Sequence, residues 1–159
     1  MSLRRQVAQR LRAAGVPSPD ADAARLLEHV SGSRSPDPAL TPAQAGELEE
    51  LVRRRCQRVP LQHLTGTAGF RYLDVQVGPG VFVPRPETEV LVDVALQEPF
   101  ESAVDLCTGS AAIAVSLATE TGARVAGVEL DPAALDWARR NAAGRGEVVA
   151  ADVCADDLS

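Results

Sequence analysis

The sequence contains no lysine, and this absence comes with a shortage of aromatic residues. All 16 basic residues are arginine, a bias that GC-rich coding produces and to which we attach no mechanism. Aromatic residues make up 3% of the chain, whereas hydrophobic residues make up 45%, with alanine, valine and leucine dominant. This composition excludes a fibrous or disordered chain and suits helices packed on a valine-rich sheet. The 159 residues are enough to bury a real core.

Cysteine is also scarce, and the pattern of Cys56, Cys107 and Cys154 excludes several kinds of site. Three widely spaced cysteines without metal-ligand spacing predict free thiols in a reducing compartment, hence a cytoplasmic protein without a bound metal. No stretch is long or apolar enough to predict a membrane span. No Ser/His/Asp or Cys/His set indicates nucleophilic catalysis, because His29 and His63 are interpreted as structural and Cys107 as a small loop residue.

The net charge of −6 is unevenly distributed along the chain. Residues 1–60 carry ten arginines against seven acidic residues, and residues 61–159 carry six against fifteen. The acidic second part argues against contact with a nucleic-acid backbone, so we expect no direct nucleic-acid binding. The weakly basic first part fits a solvated surface, with contact to RNA or to an acidic partner as the alternative.

Apolar periodicity and turn signals divide the chain into three predicted segments. Residues 1–59 are predicted to form three amphipathic helices, with Ser18 capping the second and a capping box of Thr41 and Gln44 starting the third. Residues 60–85 are predicted to form a hairpin-like linker, since TAGFRYLDVQV alternates and GPG is a turn signal.

Residues 86–159 have the pattern of a wound parallel sheet. A helix over ETEVLVDVALQ is predicted to carry Val90, Leu91, Val94 and Ala95 on one side, and strands then alternate with helices. The predicted fold class is therefore α/β: a small helical bundle and hairpin linker, followed by the first half of a Rossmann-like sheet. The sequence stops after a third strand, which leaves the first strand without one neighbour. We therefore expect a fragment, or a partner that supplies the rest.

Three acidic residues, Asp105, Glu129 and Asp152, follow successive predicted strands. The carboxyl ends of parallel strands form the ligand crevice of such sheets, so acids there predict a cationic ligand with hydroxyl or amine donors. A dinucleotide would need G-x-G-x-x-G after the first strand, but the loop reads DLCTGSA. S-adenosyl-L-methionine has no phosphate and carries a sulfonium cation, so one glycine with nearby carboxylates suits it better. Glu129 is predicted to bind its ribose and Asp152 its adenine amine. Their alternative roles are a helix-start acid and an ordinary turn residue.

Three stretches carry a resemblance to a known family: PLQHLTGTAGFRYLDVQVGPGVFVPRPETEVLV, AVDLCTGSAAIAVSLA and VAGVELDPAALDWARRNA. They resemble the HemK family of glutamine methyltransferases, which modify peptide chain release factors. The resemblance covers essentially the whole chain, including the helical front part and the hairpin linker. PRPETE is its specific element, whereas D-x-x-T-G-S fits many methyltransferase families.

The resemblance implies transfer of a methyl group from S-adenosyl-L-methionine to the side-chain amide N5 of a glutamine. The protein partner would be a class-1 peptide chain release factor, which residues 1–59 would help to dock. The cofactor-binding residues carried over by position are Asp105, Cys107, Thr108, Gly109, Ser110, Ala111, Glu129, Asp152 and Val153. The substrate-side residues are Phe70, Arg85, Glu87 and Thr88.

Two departures from the family pattern bear on activity. Ala111 stands where the family usually has glycine, and the acceptor motif Asn-Pro-Pro-Tyr is not in the sequence. We therefore assign no catalytic residue and expect little or no turnover from this chain alone. Three alternatives stay open: a non-catalytic module that docks a release factor or the ribosome, a methyltransferase for another protein or a nucleobase amine, and a nicotinamide oxidoreductase, which the glycine pattern disfavours.

Overall fold

A computed structural model describes residues 1–155 and shows two compact units, residues 1–65 and the residues from 66 onward. The last residues of the predicted segment 86–159, residues 156–159, lie outside the described part. None of the helices within residues 1–155 combines the length and the apolar content that a membrane crossing needs.

The first unit is helical because its apolar residues recur every three or four positions. Its helices are α1 (Leu3–Ala13), α2 (Pro19–Ser31), α3 (Pro42–Cys56) and the short α4 (Leu61–Thr65). Their inward faces form one core, which includes Val7, Leu11, Leu26, Leu27, Leu48, Val52 and Leu64. The predicted linker begins at residue 60, so α4 occupies its first residues and belongs to the helical unit.

The predicted start of α3 is confirmed by its hydrogen bonds. The Thr41 hydroxyl accepts from the backbone N–H of Gln44, and the side-chain oxygen of Gln44 accepts in return from the backbone N–H of Thr41. Gln44 Nε2 also donates to the carbonyl of Val30, which ties α3 to the end of α2. The cap predicted at Ser18 is wrong: Ser18 precedes α2, but its φ of −123° and ψ of 59° differ from extended cap geometry, and its side chain makes no capping bond.

The second unit opens with an antiparallel hairpin, β1 (Thr67–Phe70) and β2 (Leu73–Gln76). Phe70 pairs with Leu73, so the turn consists of Arg71 and Tyr72 and not, as predicted, of GPG. Arg71 adopts a φ of +51°. Its buried guanidinium donates to Glu120 at 2.8 Å and to Asp93 at 2.6 Å, which holds the turn in place.

The GPG segment lies against helix α7 (Pro132–Ala142). A Cβ atom on Gly78 would lie 2.4 Å from the ring of Trp137, and one on Gly80 would lie 2.6 Å from the Cβ of Ala133. Trp137 Nε1 donates to the carbonyl of Pro79 at 3.1 Å. These glycines therefore allow close packing of the chain on a helix. The turn signal of GPG is confirmed, since the amide of Val81 donates to the carbonyl of Gly78 at 3.3 Å, but this turn is not the turn of the hairpin.

Helix α5 (Glu89–Ala95) follows a 3-10 turn at Pro86–Thr88 and buries a different face from the predicted one. Val92 is fully buried, and Ala95 and Leu96 pack against the core. The prediction placed Val90, Leu91 and Val94 on one apolar side with Ala95, but these three residues are exposed at 61%, 55% and 54%. Residues 92, 95 and 96 satisfy helical spacing equally well, so periodicity alone cannot choose between the two faces.

The sheet consists of β3 (Ser102–Leu106), β4 (Arg124–Glu129) and β5 (Glu147–Ala150), all parallel and in that order. Helix α6 (Ala112–Thr121) connects β3 to β4, and α7 connects β4 to β5. Among residues 1–155, β3 forms an edge of this sheet, and its Val104 and Leu106 are exposed. The predicted fold class is confirmed.

Candidate cofactor site

The carboxyl ends of the strands bring the three predicted acidic residues to one edge of the sheet. Asp105 lies at the end of β3, Glu129 closes β4, and Asp152 follows β5. The strands end in register, since Leu106 pairs with Val128 and Glu129 with Ala150. Residues that are far apart in sequence therefore meet where ligands bind in open α/β sheets.

The cofactor loop, residues 107–111, joins β3 to α6. It contains three residues in the left-handed region, Cys107 at φ 59°, Gly109 at φ 60° and Ala111 at φ 61°. The amide of Thr108 donates to the carbonyl of Val128 at 2.9 Å, and the amide of Ala111 donates to the carbonyl of Thr108 at 2.9 Å. Because Cys107 and Ala111 carry a Cβ, their left-handed conformations are strained. Cys107 is exposed, whereas Ala111 is fully buried.

Asp105 supports the cofactor loop and the start of α6. Its Oδ2 accepts from Thr108 Oγ1 at 2.5 Å and from the amide of Ala114 at 3.2 Å. Ala111 occupies the N-cap position of α6 and has no polar side chain, so Asp105 supplies the missing cap from the neighbouring strand. Burial raises the pKa of Asp105 above its ordinary value, the hydrogen bonds from Thr108 and Ala114 oppose that rise, and the nearby Glu129 charge adds to it.

Gly127 lets Thr108 approach β4. A Cβ on Gly127 would lie 2.9 Å from both Oγ1 and Cγ2 of Thr108. Thr108 is buried, as is Ser110 two residues later. The cofactor loop therefore packs tightly on the strand ends.

Glu129 is fixed by three backbone amides. Its Oε2 accepts from Gly109 at 2.8 Å, and its Oε1 accepts from Leu130 at 2.9 Å and from Asp131 at 3.0 Å. A carboxylate offers about four acceptor positions, so it retains room for one further donor. Asp131 separately caps α7 by accepting from the amide of Ala133. Glu129 thus joins the cofactor loop to the end of β4 and still exposes acceptor capacity.

Asp152 and Val153 are half-buried and follow β5. Asp152 Oδ1 accepts from the amide of Cys154 at 2.9 Å. The amide of Ala151 donates to the carbonyl of Glu129 at 3.2 Å, which extends the pairing of the two strands towards Asp152. These residues therefore stand beside Glu129 at the same edge of the sheet.

The four predicted substrate-side residues occupy two different environments. Arg85 and Glu87 are exposed and Thr88 is half-buried, and all three lie at the 3-10 turn before α5. The Arg85 guanidinium lies 5.2 Å from the centre of the Phe82 ring, and the amide of Thr88 donates to the carbonyl of Arg85. Phe70 is 1% exposed, so its ring lies inside the core and forms the inner face of the hairpin.

Sequence reasoning missed Asn141, a buried polar residue near the end of α7. Its side chain bonds to the backbone of Gln76 in the hairpin and to the carbonyl of Ser110 in the cofactor loop. Its position on the apolar face of α7, beside Ala138 and Ala142, is the signal that the sequence offered. Within residues 1–155, no group of three or more His, Cys, Asp and Glu side chains is arranged to hold a metal ion.

Comparison with known proteins identifies relatives of the chain. The PrmC N-terminal domain family matches residues 2–66. A release factor glutamine methyltransferase of Mycolicibacterium smegmatis is 50% identical, over 93% of this chain and 56% of the relative. The proteins with the same name from Streptomyces coelicolor and Deinococcus radiodurans are 49% and 39% identical, each over 87% of this chain and over 53% and 54% of their own lengths.

Two solved methyltransferase structures show a weaker likeness, too low in TM-score to carry an argument. A TehB-like S-adenosylmethionine-dependent methyltransferase from Corynebacterium glutamicum has a TM-score of 0.37 at 25% identity, over 42% of this chain and 35% of its own. Coclaurine N-methyltransferase has a TM-score of 0.44 at 16% identity, over 97% of this chain and 50% of its own. The sequence relatives decide the assignment. This chain spans about half the length of the curated relatives that it matches, and over that half it is similar to proteins named release factor glutamine methyltransferase.

Proposed function

We propose that this chain is the cofactor-binding part of an enzyme that methylates the side-chain amide nitrogen of a glutamine in peptide chain release factors. The observation that carries the proposal is 50% identity over 93% of the chain to a protein named release factor glutamine methyltransferase. Residues 1–59 would help to dock the release factor. The absence of a disulfide among the three cysteines is consistent with the cytoplasmic location that we predict.

The residues at the sheet edge fit S-adenosylmethionine. A Cβ on Gly109 would meet no atom within 4 Å, so the space beside the cofactor loop is open. Glu129 lies beside it with acceptor capacity, and the loop lacks the G-x-G-x-x-G pattern that binds a pyrophosphate. A ligand without phosphate and with a positive charge suits this environment better than a dinucleotide.

Each group at the site has a proposed task. Glu129 would orient the ribose hydroxyls, Asp152 and Val153 would hold the adenine, and residues 107–111 would lie along the methionine end. The bound cofactor supplies an electrophilic methyl group on sulfur. The protein needs to align the acceptor and exclude water, so catalysis is positional. Because Asn-Pro-Pro-Tyr is not in the sequence, we expect the chain alone to bind cofactor without turnover.

Isothermal titration calorimetry tests the cofactor assignment. We expect S-adenosylmethionine to bind and NAD not to bind. Glu129→Ala should weaken binding by about 1–3 kcal/mol, the scale of losing hydrogen bonds to a charged acceptor. Glu147→Ala is the matched control, since Glu147 is an exposed acid at the opposite end of the neighbouring strand β5. Equal affinity in wild type and Glu129→Ala would remove Glu129 from the site.

A methylation assay with a class-1 release factor tests whether this chain can transfer a methyl group without the acceptor motif. We expect no methylation by residues 1–159. Turnover at the rate of a curated relative would contradict the claim that the acceptor motif is needed. Release factor binding without any S-adenosylmethionine binding would favour the docking-module alternative over the enzymatic proposal.

A further inference from the structure

Asn141 links two segments of the second unit through one buried amide. The residue is buried, with an exposure of 7%. Its Oδ1 accepts from the backbone N–H of Gln76 at 2.8 Å. Its Nδ2 donates to the backbone carbonyls of Gln76 and Ser110, each at 2.9 Å. Both hydrogens of the amide nitrogen are therefore used, and the oxygen has a partner.

The two bonds to Gln76 and the bond to Ser110 serve different segments. Gln76 is the last residue of β2, and Asn141 pairs with both of its backbone groups as a neighbouring strand would. Ser110 lies in the cofactor loop between Gly109 and Ala111, both of which are left-handed. Asn141 thus attaches the hairpin and the cofactor loop to the same point of α7.

The chemistry of this position requires an amide. Its buried neighbours on α7, Ala138 and Ala142, are apolar, so the surroundings on the helix alone would accept an apolar residue. Such a residue would leave the amide of Gln76 and two carbonyls without this partner, and buried groups without partners are costly. An aspartate would retain the acceptor but lose both donors. Asparagine therefore fits this position, where the side chain must accept from one backbone N–H and donate to two backbone carbonyls.

We propose that Asn141 is a positioning residue that sets the cofactor loop against the hairpin. The loop is anchored from three directions: Thr108 by Asp105, Gly109 by Glu129 and Ser110 by Asn141. Only the third of these anchors also reaches the hairpin. A ligand bound at the loop should therefore also stabilise the hydrogen bonds between Asn141 and Gln76. By linkage, stabilising those bonds should strengthen ligand binding at the loop. The proposal rests on the proposed function, because the loop is a cofactor site only if the chain binds S-adenosylmethionine.

Cofactor affinity in Asn141→Ala, compared with Trp137→Phe, tests this role. Trp137 lies one helical turn before Asn141, and its Nε1 donates to the carbonyl of Pro79 beyond the hairpin, whereas the bond from α7 to Ser110 in the cofactor loop comes from Asn141. Trp137→Phe therefore removes a bond between α7 and the same linker but leaves the loop anchored. We expect the dissociation constant for S-adenosylmethionine to rise about tenfold in Asn141→Ala, equivalent to about 1.4 kcal/mol. In Trp137→Phe it should stay within about twofold of wild type. Equal effects of the two substitutions would overturn the proposal.

Amide hydrogen exchange on the wild-type chain tests the coupling without any substitution. We expect S-adenosylmethionine to slow exchange at Gln76, whose amide donates to Asn141. The adjacent Val77 donates to the carbonyl of Gly66 and serves as the control, where little change is expected. Equal slowing at Gln76 and Val77, or none at Gln76 under saturating cofactor, would contradict the coupling.

Exchange in the free chain separates this proposal from the proposed function. If S-adenosylmethionine does not bind wild type, the proposed function fails, and the role of Asn141 is decided at the amides of Gly109 and Ala111. These amides should exchange about tenfold faster in Asn141→Ala and at the wild-type rate in Trp137→Phe. Unchanged exchange in a folded Asn141→Ala protein would refute the positioning role.

Discussion

Replacing Cys107 with glycine should stabilise the protein, although glycine usually weakens folded proteins. Cys107 is exposed and adopts a φ of 59°. A left-handed residue with a Cβ costs about 1–2 kcal/mol, whereas glycine costs about 0.4–1 kcal/mol through the freedom it adds to the unfolded chain. Because the exposed side chain contributes little burial, the difference is a net gain of about 0.5–1 kcal/mol in the free energy of unfolding.

Ala111→Gly provides the internal comparison. Ala111 has nearly the same φ, 61°, but is fully buried. Removing its methyl group costs about 0.8 kcal/mol of burial in addition to the glycine entropy, so the strain relief is cancelled and the net change should be close to zero. Cys154→Gly is the control without strain, since Cys154 is exposed and is not among the residues with positive φ. It should be neutral or destabilising.

Urea denaturation followed by the fluorescence of Trp137, the single tryptophan of the chain, measures these differences in the unit that contains the loop. The midpoint should rise for Cys107→Gly with an unchanged m-value. A Cys107→Gly protein that is no more stable than wild type, or that loses as much as Cys154→Gly, would refute the assignment of strain to this residue.

Two further predictions concern the half-buried acid Asp105 and a helix cap. Because burial raises the pKa of Asp105, the folded protein binds that proton more tightly than the unfolded chain. The free energy of unfolding of wild type should therefore fall relative to that of Asp105→Asn as the pH rises from the ordinary pKa of an aspartate to the raised pKa of Asp105. Above the raised pKa the difference should stay constant. Parallel pH profiles of the two proteins in urea titrations would contradict this. Thr41→Ala should cost the helical unit about 1 kcal/mol, while Thr41→Ser retains the capping bond, as followed by far-ultraviolet circular dichroism. Equal losses in the two variants would exclude the hydroxyl as the cause.

Features that depend on neighbours in sequence were predicted from the sequence. The capping box of Thr41 and Gln44 spans three residues, and the alternation of strands and helices after residue 102 is a local pattern. The meeting of Asp105, Glu129 and Asp152 also follows, because parallel strands necessarily end at the same edge of a sheet.

Features set by distant contacts were not predictable in the same way. Arg71 and Tyr72 form the hairpin turn without glycine, asparagine or aspartate, because Asp93 and Glu120 hold Arg71 from other segments. Which apolar stripe of α5 is buried depends on where the core lies, since two stripes have the same spacing. The sequence does not reveal that Asp105 caps α6 by accepting from the amide of Ala114, because that bond depends on how the helix packs on the end of β3.

The strained backbone of the cofactor loop depends on the three side chains that hold the loop in place. Strained backbone persists only when its surroundings determine it fully. Here Thr108, Gly109 and Ser110 are each held by a side chain from a different element. A loop held in this way has little conformational freedom left to lose when a ligand binds, so the ordering cost of binding is small. A chain with cysteine and alanine at left-handed positions of this loop can therefore keep the loop geometry of a cofactor site, and the strain lowers its stability without changing its shape.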